Sequence, residues 1–223
     1  MRDLMKLQNG SDIRGTAISL EGARGADLTT EVAKAIGGAF AAWLSAKSAK
    51  PCEALRIAVG RDSRLSGAAL ARGIAEGVSG AGAEIADLGL ATTPAMFMAT
   101  VTQGFLCDGT VMITASHLPF ERNGFKFFTR DGGLDKKDIA SLLAAAQAAD
   151  YPRGRNGRIR EADFMGEYAG LLRDKIIAGA NLGKRPLEGL RIIVDAGNGA
   201  GGFFASDVLE PLGADTRGSL FLE

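Results

Sequence analysis

A serine, the only histidine of the chain and a lysine lie close together in one stretch of the sequence. Residues 114–119 read Thr-Ala-Ser-His-Leu-Pro, and residues 123–126 read Asn-Gly-Phe-Lys. A serine hydroxyl is a weak nucleophile that needs a neighbouring base or a metal. A phosphorylated serine carries about −1.5 to −2 charge and is stabilised by nearby cations. Ser116, His117 and Lys126 could therefore accept and hold a phosphoryl group, although each is also an ordinary residue type for a loop or a surface strand.

The residues around this stretch predict two strands joined by a loop. Residues 110–113 are β-branched or apolar, which is typical of a short buried strand. Pro119 cannot continue a hydrogen-bonded ladder, and Asn123-Gly124 is a strong turn dipeptide with positive φ available. We therefore expect the chain to fold back into a second strand, residues 125–128, which brings the lysine towards the serine.

Thr-Ala-Ser-His-x-Pro followed by Asn-Gly-x-Lys resembles the active-site loop of the α-D-phosphohexomutases, the phosphoglucomutase and phosphomannomutase family. Three other stretches resemble segments of that family in the same order: residues 10–15 (Gly-Ser-Asp-Ile-Arg-Gly), residues 59–67, which contain Gly-Arg-Asp-x-Arg, and the Thr-Pro of residues 90–94. Taken singly, the arginines of the first two stretches would be exposed or ion-paired surface residues. They are Arg14, Arg61 and Arg64.

The resemblance implies intramolecular phosphoryl transfer on a hexose phosphate, through a phosphoserine and a bisphosphorylated sugar intermediate. It implies catalytic roles for Ser116, Lys126, Arg14 and His117, with Arg14 and Lys126 also binding substrate and Mg²⁺ bound to the Ser116 phosphate. Lys126 would neutralise charge or carry a proton, and His117 would support the loop. The expected ligands are a hexose phosphate and a hexose bisphosphate, while the identity of the sugar and the oligomeric state are not specified by the sequence.

Two observations keep a second class of function open. Leu118 stands where the family usually has asparagine, and residues 120–122 replace a stretch that usually ends in tyrosine. The family also has a magnesium loop of the form Asp-x-Asp-x-Asp, a sugar-selecting loop and a phosphate-gripping loop, none of which occurs in this chain. We therefore expect the chain to be the amino-terminal part of an enzyme and inactive alone. The alternative is a non-catalytic binding or regulatory protein that keeps the fold.

Composition argues against several other classes of protein. The 223 residues are 46% hydrophobic and 23% charged, with 26 basic and 26 acidic side chains, so no general attraction to nucleic acid or anionic membranes is expected. No apolar run approaches the ~20 residues of a membrane span, and no secretory signal opens the chain. We expect no nucleic-acid or membrane partner, reduced thiols at Cys52 and Cys107, and a cytoplasmic location, with an organelle such as the plastid left open.

Helical and strand patterns alternate, which predicts an α/β fold. Thr29 and Ser66 are predicted to cap helices with apolar residues at helical spacing, and residues 55–59 and 84–88 are predicted strands. The serine loop then follows the third strand, and ligands of open α/β sheets bind beyond the carboxyl ends of strands. The expected architecture is a three-layer α/β/α first domain, residues 1–150, followed by the start of a similar α/β domain.

A break in the periodicity predicts the boundary between these domains. Residues 151–158 concentrate arginines and turn formers, so we predict a linker and an incomplete second domain over residues 151–223, with a helix at residues 163–178. Just before the boundary, the two carboxylates of residues 131–135 could form a metal loop. A turn followed by a helix that Asp135 caps is the favoured interpretation.

A glycine-rich stretch offers a third possible function. Residues 195–202 contain Gly-x-Gly-x-x-Gly after a predicted strand, residues 190–194, and such glycines let a backbone approach a pyrophosphate at a helix amino terminus. Asp195 would place negative charge beside that pyrophosphate, and no acidic residue clearly ends a following strand. A dinucleotide-binding oxidoreductase is therefore the weaker alternative. In the phosphohexomutases a turn of this kind packs at the start of the second domain.

Overall fold

A computed structural model describes residues 3–19 and 25–222, and the chain divides into two compact units, Met1–Ala162 and Asp163–Glu223. The described part of the first unit contains one eight-stranded sheet and four α-helices. The helices are α1 (Thr30–Ser48), α2 (Gly67–Ala81), α3 (Thr93–Met98) and α4 (Lys136–Ala148). The strands are β1 (Gln8–Asn9), β2 (Asp12–Thr16), β3 (Arg56–Arg61), β4 (Glu84–Leu90), β5 (Gly109–Ile113), β6 (Arg122–Thr129), β7 (Gly132–Gly133) and β8 (Ile159–Glu161).

The sheet is mixed, with the strand order β1-β2-β6-β5-β3-β4-β8 and β7 paired to β6. Strand β3 is parallel to both β4 and β5, and β8 is parallel to β4. Strand β6 is antiparallel to both β5 and β2. The amino-terminal end of β6 therefore lies beside the carboxyl end of β5, where the serine loop begins.

Helices cover both faces of this sheet and give the predicted three-layer α/β/α architecture. Helices α1, α2 and α4 bury Phe40, Ile74 and Leu142 against strand residues that include Val111 and Phe127. Short helix α3 packs on the sheet through Met96, whose sulfur lies where a side chain at Gly60 would project. None of the described helices is long and apolar enough to cross a membrane.

Two of the three predicted helix caps are confirmed. The Thr29 hydroxyl accepts from the Val32 amide at 3.3 Å, and Asp135 forms a capping box with Asp138 at the start of α4. Backbone hydrogen bonds from Asp138 and Lys137 lower the pKa of Asp135, so its carboxylate serves the helix rather than a metal loop. Ser66 differs. It precedes α2 but makes no side-chain cap, because its hydroxyl instead accepts from Asn123 Nδ2 at 2.9 Å.

The division between the units lies after Ala162, whereas the sequence placed it after residue 150. The arginine-rich stretch is exposed but its backbone is bound to the first unit. Tyr151 packs on the core beside Gly38, the Ser79 hydroxyl donates to the Gly157 carbonyl at 2.7 Å, and β8 pairs with β4. A local excess of turn-forming residues does not predict such long-range contacts.

The second unit has one long helix, α5 (Met165–Ala180), close to its predicted position. Its apolar cluster is centred on Ala169, Val208 and Leu212. Residues 204–209 form a π-helical turn. In place of the strand predicted at residues 190–194, the described residues form two isolated parallel bridges, Arg191 with Asp215 and Asp195 with Leu220.

The two cysteines are free and buried, and burial raises the pKa of the Cys107 thiol from 9.0 to about 12. Because the unfolded thiol ionises at the lower pH, Cys107 contributes stability that is present below about pH 9 and lost between pH 9 and 12. We expect urea unfolding midpoints to fall across this range in the natural chain and to fall less in Cys107→Ala. The matched control is Cys52→Ala. If the unfolding midpoint depends on pH in Cys107→Ala as strongly as in the natural chain, this assignment is contradicted.

Candidate active site

Ser116 lies just beyond the carboxyl end of β5 in an exposed turn. Its backbone has a φ of 56°, in the left-handed region that few residues other than glycine adopt. The Ser116 amide donates to the Thr114 hydroxyl at 3.0 Å, which fixes the start of the turn. The hydroxyl of Ser116 is therefore presented to solvent from a strained backbone held by its neighbours.

His117 is a titratable group that lies beside this hydroxyl. Its Nδ1 lies 3.4 Å from Ser116 Oγ, at the outer limit of a hydrogen bond, and its ring is exposed. In the tautomer with a bare Nδ1, the imidazole can accept the hydroxyl proton. His117 is thus placed to act on Ser116 only after a small shortening of this contact.

Lys126 and Arg14 are brought together by a residue that the sequence analysis did not single out, Asp12. Asp12 Oδ2 lies 2.5 Å from Lys126 Nζ and 3.0 Å from Arg14 Nη2, and the three side chains are between 13% and 26% exposed. One carboxylate shared by two cations leaves one net positive charge in a half-buried site. The detectable signal was the spacing, since residues two apart on a strand project from the same face.

The pairing of β2 with β6 builds this group of three side chains, Asp12, Arg14 and Lys126, which we call the Asp12 cluster. Ile13 lies opposite Phe125 and Arg14 opposite Gly124 in the antiparallel register. Ile13 and Phe125 enter the apolar core, so the alternating residues Asp12, Arg14 and Lys126 share the other face. The described residues show no hydrogen bond or ion pair that joins this cluster to Ser116.

The prediction that Asn123-Gly124 forms the turn is wrong, because both residues lie inside β6 and the turn precedes them. Asn123 is fully buried and donates to Ser66. A Cβ at Gly124 would lie 2.4 Å from the Ile13 carbonyl oxygen and 3.0 Å from Arg14 Cγ. Glycine is required there so that β2 and the Arg14 side chain can approach, not for a positive φ.

Gly124→Ala should therefore destabilise the first unit by about 1–3 kcal/mol, the usual cost of forcing atoms into a packed site. The matched control is Gly133→Ala on neighbouring β7, where an added Cβ meets nothing closer than 3.7 Å. Urea unfolding of both variants measures the difference. Equal stability of the two variants would show that β2 can shift away without cost.

A cavity of about 570 Å³ opens beside Arg14. The cations Arg14, Arg122 and Lys6 contribute to its lining, together with Asp3 and Asp27. An anionic ligand could occupy it, although Ser116 and Lys126 do not line it. Arg14 thus lies between the Asp12 cluster and this cavity.

Comparison with known proteins assigns the family. Residues 5–152 match the family described as phosphoglucomutase/phosphomannomutase, alpha/beta/alpha domain I. The chain belongs to the phosphoglucomutase/phosphomannomutase family. The matched region contains the serine loop, the Asp12 cluster and the whole sheet except β8.

Individual relatives agree with this assignment. A phosphoglucomutase of Neisseria meningitidis is 37% identical over 88% of this chain and 40% of its own length. A phosphomannomutase/phosphoglucomutase of Pseudomonas putida is 33% identical over 89% of this chain and 40% of its own. A solved structure of a family protein from Burkholderia thailandensis superimposes with a TM-score of 0.77 at 28% identity, covering 98% of this chain and 44% of that one. This chain therefore spans about 40% of the length of such relatives.

The binding of Mg²⁺ to a phosphate on Ser116 stays a prediction. Residues 3–19 and 25–222 contain no group of three or more His, Cys, Asp or Glu side chains that could hold a metal ion. Asp12 is committed to Lys126 and Arg14. Ser116 thus has no carboxylate partners of the kind that Mg²⁺ prefers, and no step proposed below depends on the metal.

The glycines of residues 195–202 in the second unit form a turn and allow close backbone packing. The Gly197 amide donates to Asp195 Oδ1 at 3.0 Å, so this carboxylate occupies a donor that a pyrophosphate would need. A Cβ at Gly202 would lie 1.8 Å from the Leu222 carbonyl oxygen. These contacts argue against the dinucleotide-binding alternative and agree with the role that the family resemblance implied.

Proposed function

We propose that this chain carries the phosphoserine site of a phosphohexomutase, an enzyme that moves a phosphoryl group within a hexose phosphate. The observation that carries the proposal is the exposed hydroxyl of Ser116 in a left-handed turn beyond β5. Family membership supports it, as do the names of relatives that are called phosphoglucomutase or phosphomannomutase. The proposed ligands are a hexose phosphate and a hexose bisphosphate.

The proposed reaction has two balanced transfers. The bond from phosphorus to Ser116 Oγ breaks as a bond to a free sugar hydroxyl forms, and the proton that this hydroxyl loses ends on Ser116 Oγ. The resulting bisphosphorylated sugar turns over and returns its other phosphoryl group to Ser116, whose hydroxyl proton leaves. Catalysis of this kind depends mainly on positioning and charge neutralisation.

His117 beside Ser116, and the cations of the Asp12 cluster, have the chemistry that these tasks need. His117 Nδ1 is next to the hydroxyl and can take its proton. Lys126 and Arg14 supply the cations for substrate binding and charge neutralisation, and Lys126 can also carry a proton. Asp12 fixes both cations in one place, so they need not reorganise as negative charge develops.

The departure at Leu118 leaves the loop backbone intact. The Leu118 amide donates to the Ala115 carbonyl at 3.1 Å, and the Leu118 carbonyl accepts from Arg64 at 2.7 Å. Both contacts use main-chain atoms and are independent of the side chain. Leucine in place of asparagine therefore does not favour the non-catalytic alternative on geometric grounds.

Uptake of phosphate by the chain tests this proposal. The chain is incubated with the 1,6-bisphosphates of glucose, mannose and glucosamine, and its intact mass is followed. We expect at least one of the three to add a single phosphoryl group, without measurable mutase turnover in a coupled assay. A folded chain that takes no phosphoryl group from any of them would contradict the proposal.

A further inference from the structure

Arg64 binds the serine loop through its main chain. Its side chain is only 13% exposed, although taken alone it would be a surface arginine. It donates hydrogen bonds to four carbonyl oxygens within residues 116–122. The acceptors are Ser116 at 2.8 Å, Leu118 at 2.7 Å, Pro119 at 2.8 Å and Arg122 at 3.1 Å.

Arg64 is itself fixed in place by Asp62. Asp62 Oδ1 accepts from the Arg64 amide at 3.1 Å, and Asp62 Oδ2 lies 3.4 Å from Arg64 Nε. The Asp62 amide in turn donates to the carbonyl of Ile113, the last residue of β5. The guanidinium is therefore anchored to the same strand end from which the serine loop departs.

We infer that Arg64 is a positioning residue that holds Ser116 in its left-handed conformation. A residue keeps such a strained conformation only where its surroundings over-determine it, and four hydrogen bonds to one short loop do so. Only the planar fork of an arginine offers five donors on one rigid group. The catalytic consequence rests on the proposed function of Ser116, but the grip on the loop does not.

The same contact sets the direction of the next backbone amide. The Ser116 carbonyl points at Arg64, and in a trans peptide the following N–H points the opposite way. The His117 amide has no hydrogen-bond acceptor in the described part of the chain. Arg64 therefore turns this N–H away from itself and leaves it available to an acceptor on the other side of the peptide plane.

Hydrogen exchange of the purified chain tests the grip directly. The variants are Arg64→Gln, Arg64→Lys and, as matched control, Arg72→Gln on the exposed face of α2. In Arg64→Gln we expect exchange at the loop amides of Ser116, Leu118 and Arg122 to accelerate by roughly tenfold to a hundredfold. Arg64→Lys should fall between this and the natural chain, and Arg72→Gln should change nothing.

The other outcomes count against the inference. Unchanged loop exchange in Arg64→Gln would show that the carbonyls are held without the guanidinium. Faster exchange throughout β3, β4 and β5 would show that Arg64 supports the whole fold rather than the loop. Arg64→Lys, which keeps the charge, still reports on the loop if Arg64→Gln fails to fold.

A second readout separates this inference from the proposed function. Phosphoryl uptake from a hexose 1,6-bisphosphate should slow at least about tenfold in Arg64→Gln, with little change in the concentration that gives half the maximal rate. If the natural chain takes up no phosphoryl group but its loop loosens in Arg64→Gln, the grip stands and the proposed function fails. If the loop loosens and uptake is unaffected, Arg64 does not position Ser116 for chemistry.

Discussion

Ser116→Ala should abolish phosphoryl uptake and leave the fold intact. The substitution removes the proposed acceptor oxygen, so no residual rate through the same route is expected. The Ser116 side chain is exposed, and within the described residues its hydroxyl has one hydrogen-bond contact, the long one to His117, so the free energy of unfolding should change by no more than ~0.5 kcal/mol. Loss of labelling therefore cannot be ascribed to unfolding.

The measurement is peptide mapping after incubation with a labelled hexose bisphosphate. Ser63→Ala is the matched control, because Ser63 is an exposed serine in the neighbouring loop after β3. Label should appear on Ser116 in the natural chain and in the control. Label on another residue, or label that survives in Ser116→Ala, would remove Ser116 from the proposed mechanism.

Lys126→Met should lower the maximal rate of phosphoryl transfer by roughly 10²-fold or more, the usual scale for one general acid or base. Methionine keeps the unbranched shape and most of the length of the side chain while removing its charge. Asp12 then keeps Arg14 as a partner at 3.0 Å, so the variant should fold. The Asp12 cluster would lose its net positive charge, which should weaken stabilisation of the transferred phosphoryl group.

Rates measured over a range of hexose bisphosphate concentrations distinguish the roles of Lys126. Lys137→Met is the control, an exposed lysine in the first turn of α4. A variant that only needs more ligand to reach an unchanged maximal rate would show that Lys126 binds without taking part in transfer.

Local sequence signals predicted the elements that carry the site. The apolar run before Ser116 followed by Pro119 placed the serine at a strand end, and β5 ends at Ile113 as this requires. Thr29 and Asp135 marked helix starts because a cap depends on residues two or three positions away. Each of these features is decided within one turn or one strand of the chain.

The features that sequence did not reveal are decided by distant contacts. Asn123-Gly124 has the composition of a turn, but pairing with β2 draws it into a strand. No role for Asp12 could be assigned from the sequence, because its contact with Lys126 depends on the pairing of β2 with β6. The inferred role of Arg64 depends on hydrogen bonds from its guanidinium to a loop that lies some fifty positions later in the chain.

The grip of Arg64 on carbonyl oxygens also bears on how freely the loop can evolve. Every residue supplies the same carbonyl, so the shape of residues 116–122 is set without reading their side chains. Leu118 and the exposed Phe120 can then vary with little effect on the placement of Ser116. The loop can thus change the surface that it presents around Ser116 while Ser116 itself stays in place.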